Sequence, residues 1–478
     1  VAFNSVLFLL FFPLVFLGNV VLSRHAVGRK CFLLAASYFF YAQWDPRFLG
    51  LIWISTAVDW FVGKSMSASQ DQRKRKWLLW TSLTINLGLL GTFKYLDFFI
   101  DSAVALLGTI GFEADVHTLG LILPVGISFY TFQTLSYTID IYQRRIKAHD
   151  SPLDFALFVA FFPQLVAGPI VRARDFLPQL AKLNTPTRED LSLGMYSICS
   201  GLLKKVILAD LIGATLAQPF YNNPEQYGTV GAIAGIYGFA FQLFGDFAGY
   251  SQIAIGCAQL LGFRLPQNFD NPFMARNNLE IWRRWHITLL TWFRDYIYIP
   301  LGGSRQGEFK TYRNIMIVNL VSGVWHGAGI NYLLWGAVDG ITISCSRFYQ
   351  RIRGRKGKQD LPNDFIGKIW WQRFVTFHVW LLAMPIFRTN SLEHLAEVGR
   401  ALVRWEAPIP NHQWLPVLGS MLLVAAFLQT LVSEYQGQRL RARWATFPPE
   451  LQGGIFLIFL GLLGAFAPST TPFLYFQF

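Results

Sequence analysis

The segment Gly323-Val324-Trp325-His326-Gly327-Ala328-Gly329 sets a single imidazole within the apolar stretch from Asn314 to Ser346. An ionisable side chain at such a place is costly unless it faces a partner or a polar cavity, so function is its default reading. A neutral histidine there could serve as a general base. Glycines 323, 327 and 329 allow close approach of backbone or ligand, as a narrow reaction channel requires. The competing reading is a core histidine hydrogen-bonded between helices.

A second group runs from Ile281 to Gly303, IWRRWHITLLTWFRDYIYIPLGG. It sets Arg283, Arg284, His286, Arg294 and Asp295 among Trp282, Trp285, Trp292, Tyr296 and Tyr298. Tryptophan and tyrosine favour a membrane interface, and arginine there can hold phosphate. These three arginines are therefore candidates for binding a phosphate-bearing donor. The alternative is an interfacial amphipathic helix whose arginines meet lipid headgroups. A third group, Phe244-Gly245-Asp246-Phe247-Ala248-Gly249, places one carboxylate after a long apolar run. Asp246 could fix a histidine tautomer, pair with an arginine or cap a helix. Cys31, Cys199, Cys257 and Cys345 are far apart and have no metal-ligand spacing, so they read as packing residues.

The elements that must carry these groups are membrane helices. Of 478 residues, 53% are hydrophobic and only 14% charged, well below the quarter usual in soluble domains. The first 23 positions carry no charge, and the basic cluster Arg24, Arg29, Lys30 follows the apolar run instead of preceding it. That order predicts a retained helix, not a cleaved leader. The net charge of +13 sits in short clusters between apolar spans, which is the positive-inside pattern and argues against nucleic-acid binding.

With the N-terminus outside, spans are expected at Val6 to Leu22, Cys31 to Tyr41, Phe48 to Gly63, Trp77 to Phe93 and Leu119 to Tyr142. The acidic residues Asp97, Asp101, Glu113 and Asp115 then lie outside. Phe155 to Val171, with Pro163, Gly168 and Pro169, is expected to be a broken, re-entrant segment. Helices are expected at Leu191 to Leu216, with Lys204 and Lys205 facing an interface or cavity, and at Val230 to Phe263. Later spans are expected near Phe374 to Phe387, Leu415 to Val432 and Gly454 to Phe466. The reading is an all-α polytopic protein, residues 1–478 forming one membrane domain of about ten to twelve helices, with its chemistry in residues 265–346.

In combination, WRRWHITLLTWFRDYIYIPLGG and GVWHGAGINYLLWG resemble the signature of membrane-bound O-acyltransferases, in the bacterial alginate-acetylation branch. LPVGISFYTFQTLSYTIDIY (123–142), FFPQLVAGPIVRARDFLPQL (161–180) and the ending PFLYFQF extend the likeness over nearly the whole chain. The resemblance implies that His326 is catalytic, that His286 is a second important position, and that a funnel runs from each face toward a thin central layer. Trp325, Asp246 and Asp295 are candidate supporting residues. The resemblance further implies acetyl-coenzyme A as donor, with no bound cofactor and no metal. It implies an extracytoplasmic polysaccharide acceptor served by a partner protein, in a bacterial inner membrane among its lipids. Two positions depart from the pattern: Asp339 stands where a histidine is expected in WGAVDG, and Gln252 where an acid is expected after Tyr250-Ser251. The alternatives are a D-alanyl transferase acting toward teichoic acid, or a transporter, although no internal repeat of the transporter kind is present.

The charge rule also constrains His326. Arg313 and Arg347 are expected on the same side, yet only the 33 residues from Asn314 to Ser346 separate them, against about 40 for two full spans. A hairpin is expected, rising from Asn314 to Trp325, breaking at Gly327 to Gly329 and returning from Asn331 to Ser346, with His326 near its tip.

Overall fold

The computed structural model describes residues 3, 5–112, 118–354, 365–405, 440 and 442–466. The expected span near Leu415, Glu113, Asp115, Lys358, Arg439, Arg441 and the PFLYFQF ending lie outside the described residues. Among the described residues every regular element is helical and there is no strand. The chain gathers into two compact units, Val1–Gly194 with Ala254–Pro266, and Met195–Ile253 with Gln267–Phe478. Three helical stretches are long and apolar enough to cross a membrane: Leu7–Arg24, Gln72–Thr109 and Thr229–Leu260.

In the first unit, Ser5 caps the helix Val6–Val21 by accepting the Phe8 N–H at 3.2 Å. Leu10, Leu14, Leu17 and Val21 follow helical spacing and are all more than half exposed, an apolar stripe suited to lipid. The helices Ala26–Ala42 and Leu49–Ala68 follow, turning at Asp45, whose carboxylate accepts the Arg47 N–H at 2.9 Å. The next helix, Gln72–Thr109, has 38 residues and runs far past the expected end at Phe93. No proline interrupts it, and it stops only before Gly111, which sits at φ 81°. Asp97 and Asp101 therefore belong to this helix and not to an outer loop. The Asp97 carboxylate accepts the N–H groups of Leu119 and Leu121, both at 3.1 Å. The following helix starts at Ile127, later than Leu119, because Gly126 takes a left-handed conformation at its N-terminus.

Phe155 to Val171 is broken, with helices Pro152–Ala160 and Phe162–Leu165 on either side of Phe161. All but one residue of that stretch are buried. Backbone polar groups freed by the break need partners, and the Gln164 side chain supplies one by donating to the Phe158 carbonyl at 2.6 Å.

In the second unit, the chain from Lys204 to Leu211 and from Gly213 to Ala217 is π-helical. Lys205 does not face an interface. It is 5% exposed, with Nζ 2.7 Å from both Asp210 and Asp246. Lys204 instead bonds the Gln252 side chain, which accounts for an amide where an acid was expected. Removing one partner of such a buried ion group leaves charge uncompensated and costs about 3–5 kcal/mol. Lys205→Met is thus expected to lower Tm in detergent markedly. Lys205→Met combined with Asp246→Asn should recover part of the loss, and a Tm equal to wild type in the single variant would contradict this account.

The helices Glu308–His326 and Ile330–Ile352 lie against each other along their length. They have 19 and 23 residues, about 28 and 34 Å at 1.5 Å per residue. The length deficit seen in sequence disappears because both helices run past the charges, taking in Arg313 and Arg347. Their open ends meet where Glu308 lies 3.8 Å from Arg347 and Arg351. Gly327 and Gly329 are extended and break the helix between them. Glycine also permits the pairing: a Cβ on Gly323 would fall on the Tyr332 carbonyl oxygen, and one on Gly336 on that of Asn319.

Candidate active site

His326 ends the first arm of the hairpin and is 6% exposed. Its ring sits in an aromatic box, with centroids 4.7 Å from Trp325, 5.0 Å from Trp335 and 5.3 Å from Phe387. The Trp335 contact is perpendicular, at 90°. Trp335 comes from the returning arm and also meets Trp282, at 6.0 Å. The hairpin thus carries both the imidazole and part of its enclosure, while the short helix Met384–Arg388 closes another side. Such an enclosure holds the ring by packing and limits water around it.

His286 is 1% exposed and lies beyond Trp325, the two rings being 6.0 Å apart. Phe247 packs edge-on to it at 4.5 Å, and Phe269 lies nearly parallel at 6.3 Å. Its backbone is left-handed, φ 42°, a strained state for a residue with a Cβ, and it serves as the N-cap of the helix Ile287–Phe293. Nδ1 is 3.0 Å from the side-chain oxygen of Asn268. Trp325 therefore stands between the two histidines, in contact with both.

The other candidates have mixed placements. Asp246 pairs with Lys205, so its partner is neither an arginine nor a histidine. Its neighbour Phe247 is what reaches His286. Arg284 is engaged by Glu280 at 2.7 Å and Asp270 at 3.4 Å, and Arg294 by Asp295 at 2.7 Å. Arg283 is exposed and has no carboxylate partner among the described residues. Asp339 is 3% exposed and follows Trp335 by one helical turn on the same arm. Sequence reasoning missed Asn268, Trp335 and Phe387. Nothing in the local pattern marked them, because each reaches a histidine only through the tertiary fold.

Residues 38–392 match the model of the MBOAT, membrane-bound O-acyltransferase family. The chain belongs to this family. It is 36% identical over 500 residues to a Pseudomonas putida protein named "Probable alginate O-acetylase AlgI", covering all of both chains. A Helicobacter pylori protein named peptidoglycan O-acetyltransferase is 36% identical over 432 residues, covering 84% of this chain and 79% of that one. The teichoic acid D-alanyltransferase of Bacillus subtilis is 31% identical over 287 residues, 57% of this chain and 71% of its own. The protein is a membrane O-acyltransferase. Within this MBOAT chain the matched region takes in the hairpin, the aromatic box and both histidines.

Proposed function

We propose that the protein transfers an acetyl group from acetyl-coenzyme A in the cytoplasm toward O-acetylation of an extracytoplasmic polysaccharide, through a partner protein, in a bacterial inner membrane. The observation that carries this reading is a buried imidazole at the closed end of a hairpin whose open end is charged. The full-length likeness to an alginate O-acetylase, set against a partial one to a D-alanyltransferase, favours acetyl over D-alanyl transfer.

In this reading His326 accepts the proton of the acceptor hydroxyl as its oxygen attacks the thioester carbonyl. The carbon–sulfur bond then breaks, and the proton passes from the imidazolium to the departing thiolate, leaving the acetyl ester and coenzyme A. A funnel from each face would bring the two substrates to this point. The test is acetyl transfer from labelled acetyl-coenzyme A by purified protein in vesicles, with acceptor partner supplied. Transfer of D-alanine from a carrier protein, with none from acetyl-coenzyme A, would overturn the choice of donor.

Arg283 has its guanidinium available for the donor's phosphates, whereas Arg284 and Arg294 already have carboxylates. Arg283→Ala is expected to raise the donor KM more than it lowers kcat, the pattern of lost ground-state binding. Unchanged donor KM in alanine variants of all three arginines would assign them to lipid headgroups instead.

A further inference from the structure

Asn268 is fully buried and bonds with three successive residues around His286. Its backbone carbonyl accepts the Ile287 N–H at 2.9 Å. Its side-chain oxygen accepts the Thr288 N–H at 3.3 Å and the Thr288 hydroxyl at 2.9 Å, and also meets His286 Nδ1 at 3.0 Å. The amide nitrogen donates to Ser251 Oγ at 3.0 Å.

This pattern fixes a proton. A backbone N–H can only donate, so the side-chain atom facing Thr288 is the amide oxygen and not its nitrogen. An amide oxygen can only accept, so the His286 nitrogen that meets it carries hydrogen. In the neutral ring the lone pair then lies on Nε2. We infer that Asn268 is a positioning residue of the acyl-transfer site, holding His286 as the Nδ1–H tautomer so that it meets substrate as a hydrogen-bond acceptor through Nε2.

The consequence is a division of roles. A neutral His286 of this tautomer cannot donate from Nε2 to an oxyanion developing on the thioester carbonyl. It can receive an N–H or O–H, such as an amide of the donor's arm or the acceptor hydroxyl. Asn268 also counters the strain at His286, since three bonds to residues 287 and 288 hold the left-handed turn in place. The functional part of the inference rests on the proposal that His286 takes part in acyl transfer; the tautomer does not.

The decisive measurement is nitrogen NMR of protein carrying ¹⁵N-histidine in lipid nanodiscs, with His286 identified by its loss in His286→Gln. The wild type should show a protonated Nδ1 and an unprotonated Nε2. Asn268→Ala should lose that tautomer preference and about 10- to 100-fold in kcat, the range known for partners that orient functional histidines at metal sites. Asn268→Asp retains an acceptor toward Nδ1 and should recover most of the turnover. A wild-type signal from Nε2–H overturns the inference whatever the activity, and it needs no variant to fold. So does Asn268→Ala with tautomer and kcat both unchanged. If the tautomer is as inferred but His286→Ala transfers acetyl normally, the tautomer stands and the role of His286 in the proposed function falls.

Discussion

His326→Ala is expected to remove acetyl transfer by at least about 10²-fold, the size of effect associated with a general base, while the protein still inserts and folds. The ring is enclosed by Trp325, Trp335 and Phe387, and those large side chains keep most of the box when the imidazole is cut away. The destabilisation should therefore be modest beside the loss of turnover. His326→Gln fills more of the space and offers hydrogen bonds, but it cannot take up a proton, so it should be equally inactive. Donor binding measured on both variants should be near that of wild type. Turnover above about a tenth of wild type in either variant, a loss too small for a general base, would end the assignment.

Gly336→Ala should have the second largest effect, through backbone geometry and not chemistry. A Cβ at position 336 falls on the Asn319 carbonyl oxygen and crowds Leu320 Cα. Those are backbone atoms of the facing helix, which cannot step aside as a side-chain end can. The two arms must part, and overpacking of this kind costs about 1–3 kcal/mol. The displacement would also carry Trp335 away from His326, so turnover should fall with Tm. Gly399→Ala is the control, because it lies in the helix Leu392–Val403 with open space around it. There the change should be neutral or stabilising by up to about 1 kcal/mol. Equal Tm and turnover in the two variants would mean that close arm packing is not what sets the box.

The main helices were legible wherever apolar length and a turn residue agreed, as at Asp45-Pro46 and across Val6 to Val21. Hydropathy misjudged Gln72–Thr109, because charge counting ends a span where the hydrocarbon would end and not where the helix does. The hairpin break was legible from its glycines, but the lengths of its arms were not, since Arg313 and Arg347 are helical residues. In the site, His326 and His286 stood out as ionisable groups in apolar or aromatic surroundings. Their partners did not. Asn268, 18 positions before His286, and Phe387, 61 positions after His326, are unremarkable in their own sequence. Lys205 and Asp246 were noticed separately, but no local rule joins residues 41 positions apart across two helices.

The π-helical turn at Lys204–Leu211 couples residue count to charge. Lys205 and Asp210 are five apart and bonded at 2.7 Å. An α-helix would place such a pair about 140° apart around its axis, whereas i to i+5 winding brings them to one side. Deleting one residue between them could restore regular α-helical winding, and it would change which side chains meet Asp246 across the neighbouring helix. This segment therefore acts as a ruler sensitive to insertion and deletion: substitutions elsewhere along the turn can be absorbed, but a change of length by one cannot.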